Sequence, residues 1–202
     1  MTMKQQRLGI FLLVGWLAAG TVCSWSSPKL PATVEIYYSP KGGCTEAIVN
    51  TLRAARQTVF VQAYSFTSSP IEAALAAAAK RGVKVRLILD RSNLTQKSSA
   101  ADDAAAAGLP VLIDAKHEIA HNKIMIVDGA IVITGSFNFS RNAEENNAEN
   151  LLIIRSQDVA ARYTANWQEH AKHSDAFEGE SPAKSKKAEH LTPRKTTFWP
   201  FR

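Results

Sequence analysis

The 202-residue sequence predicts one α/β domain, an α-β-α sandwich in which helices cover both faces of a mixed central sheet. Three observations support this class. Strand-like and helix-like segments alternate through the first half of the chain. The second half contains three more strand-like segments with no helix between them. The composition, 46% hydrophobic and 21% charged, suits a chain that buries a core.

The first half follows the order β-α-β-α-β-α-β, which indicates a largely parallel sheet on that side. Its clearest helix is SPIEAALAAAAKRG, which Ser69 can cap, with Pro70 at the first helical position and Gly82 as the stop. The other segments, in chain order, are TVEIYYS, CTEAIVNTLRAA, TVFVQAYSF, VKVRLILD, SSAADDAAAAG and LPVLID.

The second half changes character, because its strands follow one another directly. KIMIV, AIVITG and ENLLIIR are the predicted strands. A closing helix is predicted from about Gln157 to His173, with Tyr163 and Trp167 on its apolar side.

Both termini differ in composition from the predicted domain, which spans residues 33–175. Lys4 and Arg7 precede LGIFLLVGWLAAGTV, so residues 1–27 indicate a signal peptide or an uncleaved membrane anchor. We therefore expect export, to the periplasm or out of the cell. Residues 178–202 are polar and basic and predict a flexible tail.

The net charge of +6 is compatible with a phosphate-bearing partner such as nucleic acid or an anionic membrane surface. Cys44 is the cysteine that clearly remains once a leader is removed, so no internal disulfide is expected. Its position beside Gly42 and Gly43 fits either a reactive thiol or, more commonly, a small packing residue at a helix start.

The segment AKHEIAHNKIMIVDG contains two motifs that share His121. From His117 to His121 it matches H-E-x-x-H, which binds zinc in proteases when both histidines lie on one face of a helix. A third ligand would then come from Glu144, Glu145 or Glu149. A strand that begins at Lys123 leaves no room for that helix, so the zinc protease remains a minor alternative.

Asp128 and Gly129 separate two β-branched runs and predict a hairpin with a two-residue loop. That loop would pair Lys123 with Thr134 and His121 with Ser136, and would place His121, Lys123 and Ser136 on one face. Gly135 would let a ligand approach the backbone. Asn138 follows just beyond, and Asp128 is interpreted as a turn residue.

This set of side chains suits phosphodiester cleavage. A neutral histidine can attack phosphorus and form a covalent intermediate. Lysine, serine and asparagine can bind the non-bridging oxygens, and a second protonated group must donate a proton to the leaving oxygen. The scheme requires no metal.

The segment HNKIMIVDGAIVITGSFNFS matches H-x-K-x4-D-x6-G-S-x-N and resembles the signature of the phospholipase D superfamily. The resemblance covers about residues 33–171. It is greatest to the small secreted bacterial endonucleases of that superfamily, which carry one motif per chain. It implies the phospholipase D-like fold, and cleavage of DNA, and possibly RNA, without a metal or other cofactor.

The resemblance also implies residue roles. His121 would be the nucleophile, Lys123 and Asn138 would bind phosphate, and Ser136 would lie beside them. Glu149 would orient His121 through a hydrogen bond. Glu144 and Glu145 are competitors for that role and are expected to be exposed.

One motif supplies one histidine, whereas the scheme needs two. The resemblance implies a homodimer whose active site lies on the two-fold axis, so that each subunit supplies one His121. His117 is a competing candidate for the proton donor. Two other functions remain open at this point: a phospholipase D that acts on phospholipid head groups, and a nucleic-acid-binding protein without catalysis.

Overall fold

The computed structural model describes residues 32–96 and 100–179. Within them lies an eight-stranded sheet with the strand order β1-β7-β6-β5-β2-β3-β4-β8. The strands are β1 (Thr33–Ser39), β2 (Thr58–Ala63), β3 (Lys84–Asp90), β4 (Val111–Asp114), β5 (Lys123–Val127), β6 (Ile131–Gly135), β7 (Glu149–Arg155) and β8 (Asp175–Phe177). The helices are α1 (Cys44–Ala54), α2 (Ser69–Lys80), α3 (Ala101–Ala106), α4 (Arg141–Glu145) and α5 (Gln157–Ala171).

The sheet is mixed, as the sequence predicts. β2, β3 and β4 pair in parallel, whereas β1, β5, β6, β7 and β8 join by antiparallel pairing. Parallel pairing follows from the α2 and α3 crossovers, and antiparallel pairing from the hairpins of the second half. The predicted fold class is confirmed.

Helices cover both faces of the sheet. One face packs against α1, α2 and α3 in a large apolar core that includes Leu52, Leu75 and Leu89. The other face packs against α5, where the Trp167 ring stacks on Phe60 at 4.8 Å between centroids. The Trp167 indole N–H donates to the Val61 carbonyl at 2.8 Å, so the predicted apolar side of the closing helix is confirmed.

The start of one helix needs correction, and some of the observed elements were not predicted. α2 begins at Ser69, so Ser68 is the residue that precedes it, Pro70 is its second residue, and no side-chain hydrogen bond caps its start. α4 and β8 have no counterpart in the predicted elements. β8 pairs with β4 and continues the sheet to Phe177.

The β5–β6 hairpin has a three-residue loop, not the predicted two-residue loop. Val127 pairs with Ile131, and Ile124 pairs with Thr134. Asp128 and Gly129 adopt φ values of 53° and 61°, and Ala130 completes the turn by donating its N–H to the Val127 carbonyl. The register therefore shifts by one residue, so Lys123 does not pair with Thr134 as predicted.

The predicted leader lies outside the described residues, as do residues 180–202 of the predicted tail. Across residues 32–96 and 100–179, no helix combines the length and the apolar character that a membrane span requires.

Candidate active site

The predicted site residues other than Asp128 lie at one end of the sheet. The parallel strands β2 and β3 finish at this end, and the antiparallel strands β5 and β7 begin there, with Lys123 and Glu149 as their first residues. β6 finishes there at Gly135 and leads directly to Ser136 and Asn138. Strand direction therefore gathers side chains that are far apart in the chain.

Lys123 is buried, with 6% of its surface exposed. Its Nζ donates to the His121 carbonyl at 2.7 Å and lies 5.1 Å from the centre of the Tyr64 ring. Burial lowers the pKa of Lys123 below its usual value, and the negative charge of Glu149 partly opposes this effect. The hydrogen bond to the His121 carbonyl and the contact with the Tyr64 ring thus hold the ammonium group in a fixed position.

His121 is exposed, and its ring packs against Tyr64 at 4.6 Å between centroids. The backbone supports this contact, because the Tyr64 N–H donates to the Asn122 carbonyl at 2.9 Å. Tyr64 therefore contacts both His121 and Lys123. The sequence reasoning missed this residue, although an aromatic residue directly after the apolar run of β2 was the available signal.

Gly135 has a structural role that the sequence did not predict. A Cβ at this position would lie 2.2 Å from the Asn150 carbonyl oxygen, and φ is 147°. That oxygen accepts the backbone N–H groups of both Ser136 and Phe137, at 3.1 and 3.2 Å. The absence of a side chain therefore lets the backbone of β7 pack closely against Gly135, and the approach of a ligand to this backbone stays a prediction.

Ser136 and Asn150 hold each other across the two strand ends. The Ser136 hydroxyl donates to Asn150 Oδ1 at 3.0 Å and accepts the Asn150 backbone N–H at 3.0 Å. Ser136 is exposed, and its contact with a bound phosphate stays a prediction.

Asn138 lies in the segment that follows β6. The parallel bridge between Phe139 and Phe66 ties this segment to the one that follows β2. The Asn138 Oδ1 is buried and has no hydrogen-bond partner among the described residues. A buried amide oxygen without a hydrogen bond lowers the stability of the fold and therefore needs an explanation. A side chain kept free to bind a ligand is one such explanation.

The three acidic candidates have different environments. Glu149 is half-buried and accepts a hydrogen bond from Asn147 Nδ2 at 3.0 Å, so its contact with His121 stays a prediction. Glu144 accepts the backbone N–H groups of Gly43 and Thr45 at the start of α1, so the expectation that it is exposed was wrong. Glu145 is exposed, as expected.

Asp128 fastens the hairpin to the rest of the fold. Its carboxylate accepts the backbone N–H groups of Arg56, Gln57 and Thr58. Burial would raise the pKa of Asp128, but these three hydrogen bonds outweigh it and lower the pKa. Asp128 is therefore more than a turn residue, because it joins the hairpin to the start of β2.

Cys44 is buried at the first position of α1, and burial, with a smaller contribution from the charge of Glu144, raises its pKa to about 11. A thiol with so high a pKa is a poor nucleophile. The structure thus favours the packing role for Cys44.

His117 and His121 do not form the H-E-x-x-H arrangement, because residues 115–122 are not helical. His117 instead contacts Asp114 from the end of β4, together with His170 and His173 from the end of α5. The zinc-protease interpretation of the segment is therefore wrong. The histidine cluster itself was missed, since it joins residues that are 56 positions apart.

The family model described as "Cardiolipin synthase, PLD-like domain" matches residues 48–171 of the chain. The chain belongs to the phospholipase D superfamily. A phospholipase D of Rickettsia felis is 44% identical over 141 residues, which cover 70% of each chain.

Two solved structures have folds similar to that of this chain. Nuc of Salmonella typhimurium, a phospholipase D family member, has a TM-score of 0.70 and 34% identity over 73% of this chain and 99% of its own. NucT of Helicobacter pylori has a TM-score of 0.68 and 27% identity over 73% of this chain and 100% of its own. The predicted superfamily and fold are confirmed, and the protein is a phosphodiesterase of this superfamily.

Proposed function

We propose that the protein is a non-specific endonuclease that hydrolyses DNA, and also RNA, through a covalent phosphohistidine intermediate on His121 and without a metal ion in the chemistry. The observation that carries the proposal is the pairing of an exposed imidazole with a buried ammonium group. His121 is open to substrate, while Lys123 is fixed beneath it by the 2.7 Å hydrogen bond to the His121 carbonyl.

The reaction has two steps. In the first, a ring nitrogen of neutral His121 attacks phosphorus; the P–N bond forms, the bond from phosphorus to the leaving oxygen breaks, and that oxygen takes a proton from a second imidazolium. In the second step, the second imidazole, now neutral, removes a proton from water, and the water oxygen attacks phosphorus. The P–N bond then breaks and neutral His121 is restored.

The non-bridging oxygens carry more charge in the transition state than in the substrate, so fixed donors aimed at them accelerate both steps. Lys123 supplies the positive charge, and its burial strengthens the attraction. The Asn138 amide has hydrogen-bonding capacity that the protein leaves unused. Ser136 contributes from the rim, and Glu149 orients His121 and supports the charge of Lys123.

The second imidazole comes from a second copy of the chain in this proposal. β1 is an edge strand with three exposed apolar side chains on one face, Val34, Ile36 and Tyr38, at 48, 55 and 65% exposure. By the β1–β7 register, Tyr38 lies opposite Asn150, the partner of Ser136. An apolar strip that reaches the rim of the site supports a two-fold interface there.

Nucleic acid is the favoured substrate because of charge and groove composition. A groove beside Asn122 is lined by Tyr163 and Arg162, an aromatic ring and a cation that suit base stacking and phosphate binding. The net charge of +6 adds attraction to a polyanion. Export of the enzyme through the leader is part of the same proposal.

A phospholipase D that releases phospholipid head groups is the second candidate, because the Rickettsia felis relative carries that name. The same histidine and lysine chemistry would serve it. The two candidates differ in the substrate and not in the predicted active-site residues.

One experiment separates them. The purified full chain is incubated in excess EDTA with supercoiled plasmid and, in parallel, with phosphatidylcholine vesicles, and its mass is measured by sedimentation. We expect plasmid nicking in EDTA by a protein with the mass of a dimer. Head-group release with intact plasmid would favour the phospholipase, while loss of all cleavage in EDTA and its return with zinc would overturn the metal-independent mechanism. A monomer that cleaves plasmid at full rate would overturn the shared active site.

A further inference from the structure

Four side chains with metal-binding atoms meet at the end of β4, in a cluster that the proposed mechanism does not use. Asp114 is the last residue of β4, His117 lies in the loop that follows, His170 is in the last turn of α5, and His173 comes just after it. One donor atom from each of the four lies within 4.8 Å of all the others. We call this group the Asp114 cluster.

The three imidazoles converge on a single oxygen. Asp114 Oδ2 lies 2.7 Å from His170 Nδ1, 3.2 Å from His117 Nδ1 and 3.4 Å from His173 Nε2. The rings themselves stand 4.9 to 5.3 Å apart between centroids. Ring nitrogens from two separate segments thus point to one place, which packing alone does not require.

The cluster combines one buried carboxylate with three nitrogen donors. The Asp114 side chain is fully buried, and a buried carboxylate needs positive charge nearby. A divalent cation supplies that charge and binds the lone pairs of imidazole nitrogens, so one ion can engage all four side chains at once.

We propose that Asp114, His117, His170 and His173 bind one zinc ion. Zinc takes four nitrogen, oxygen or sulfur ligands in a tetrahedron at about 2.0 to 2.2 Å, which places the ligand atoms roughly 3.4 Å from one another. The three contacts to Asp114 Oδ2 already lie at 2.7 to 3.4 Å. Magnesium and calcium prefer oxygen ligands and fit this set poorly.

The surroundings of the cluster also fit a metal site. The second carboxylate oxygen of Asp114 accepts the Lys116 backbone N–H at 3.1 Å, and the Ser174 hydroxyl donates to the His170 carbonyl at 2.8 Å, so the ligands are held in place. The His117 side chain is 44% exposed, which provides a path by which an ion can enter.

The zinc ion is structural in this proposal, because four protein ligands leave no open position for water or substrate. It joins the end of α5 to the loop of residues 115–122. The loop is also held to β3, since Asp90 Oδ2 accepts the Ala120 N–H at 2.7 Å. His121 follows directly, so zinc would restrain the first part of the segment that carries the nucleophile.

The test measures metal binding directly. The full chain, purified without a histidine tag and stripped with a strong chelator, is dialysed against a small excess of zinc and its metal content is determined. We expect one zinc per chain, a higher melting temperature with zinc than without, and, with cobalt in its place, the visible absorption of tetrahedral coordination. A folded protein that takes up no zinc, or one whose melting temperature zinc does not change, would overturn the proposal.

Two variants assign the ligands. His173→Ala removes a ligand after the end of α5 and is expected to weaken zinc binding at least about 100-fold, since even second-shell changes cost 10- to 100-fold. His121→Ala removes a histidine outside the cluster and should keep the zinc. Equal zinc binding by both variants would contradict the assignment. If His173→Ala does not fold, the cobalt spectrum of the wild-type protein decides alone, because a tetrahedral signal supports the site and its absence refutes it.

This proposal does not depend on the proposed function. Zinc content and cobalt absorption report only on the Asp114 cluster, but EDTA would also remove a structural zinc, so plasmid cleavage in EDTA needs the His173→Ala variant beside it. Cleavage that zinc restores in the wild type but not in folded His173→Ala would trace the loss to the Asp114 cluster, whereas restoration in both would place a metal in the chemistry at His121. Either proposal can therefore fail while the other stands.

Discussion

His117 and His121 are separated by four positions in one loop, yet they serve two different parts of the molecule. The His117 ring faces the buried carboxylate of Asp114 and the two histidines of the α5 end. The His121 ring is exposed and packs against Tyr64 at the end of β2. One end of the loop is tied to a side-chain cluster, and the other end is open to substrate.

The difference shows that residue spacing has meaning only together with backbone conformation. Two histidines four apart share a face in a helix, where they can bind one ion. In the non-helical loop of residues 115–122 the same spacing separates them. The metal ligation proposed for the first histidine and the nucleophilic role proposed for the second are then compatible.

The sharpest test of the comparison is to remove each histidine in turn. His121→Ala is expected to lower phosphodiester hydrolysis about 10⁴-fold or more, because loss of a nucleophile removes the covalent pathway. His117→Ala should lower it by less than about tenfold, since its ring faces Asp114. Initial rates on plasmid DNA, with circular dichroism as a check on folding, measure both. Comparable losses in two folded variants would mean that His117 is the proton donor and that the two ends of the loop act as one site.

The next prediction concerns the backbone that shapes the catalytic end. Gly135→Ala would place a Cβ 2.2 Å from the Asn150 carbonyl, and backbone atoms of β7 cannot move aside cheaply. We expect the free energy of unfolding to fall by about 3 kcal/mol or more. The midpoint of urea unfolding measures the change, provided that the free energy of unfolding depends on urea concentration with the same slope in both proteins.

Gly129→Ala is the matched control, because Gly129 also has a positive φ, 61°, but a Cβ added there would meet no other atom within 4 Å. It should cost only about 1 kcal/mol, the usual penalty for alanine in a left-handed conformation. Equal losses for the two variants would show that φ alone, and not the approach of β7, makes glycine necessary at position 135.

Much of the fold could be predicted, because it depends on local patterns. Alternating apolar segments predicted the α/β class, and the spacing of Tyr163 and Trp167 predicted the buried side of α5. β8 could not be predicted, since its three residues, Asp175–Phe177, carry too few apolar positions to show a period. It exists because β4 offers it an edge to pair with.

The site could be predicted only as far as it is local in sequence. The motif indicated His121 and Lys123, and the structure joins them by one hydrogen bond. The hairpin register was wrong by one residue, because Ala130 enters the turn and nothing in its side chain indicates this. The Asp114 cluster could not be predicted, since its members come together only when α5 packs against the sheet near β4.

The smallest expected effect concerns Glu149 and the charge of Lys123. Burial lowers the pKa of Lys123, and the carboxylate of Glu149 opposes that shift. Glu149→Gln removes the opposing charge, so the pKa of Lys123 falls further. A lysine is charged only below its pKa, so the alkaline limb of the rate profile should move to lower pH, while Glu145→Gln, an exposed control, should leave it in place. A uniform fall in rate with an unmoved limb would instead mean that Glu149 acts by orienting His121 and not through Lys123. The catalytic end of the loop would then be organised by a carboxylate–imidazole contact, the same kind of contact that Asp114 makes with His117 at the other end.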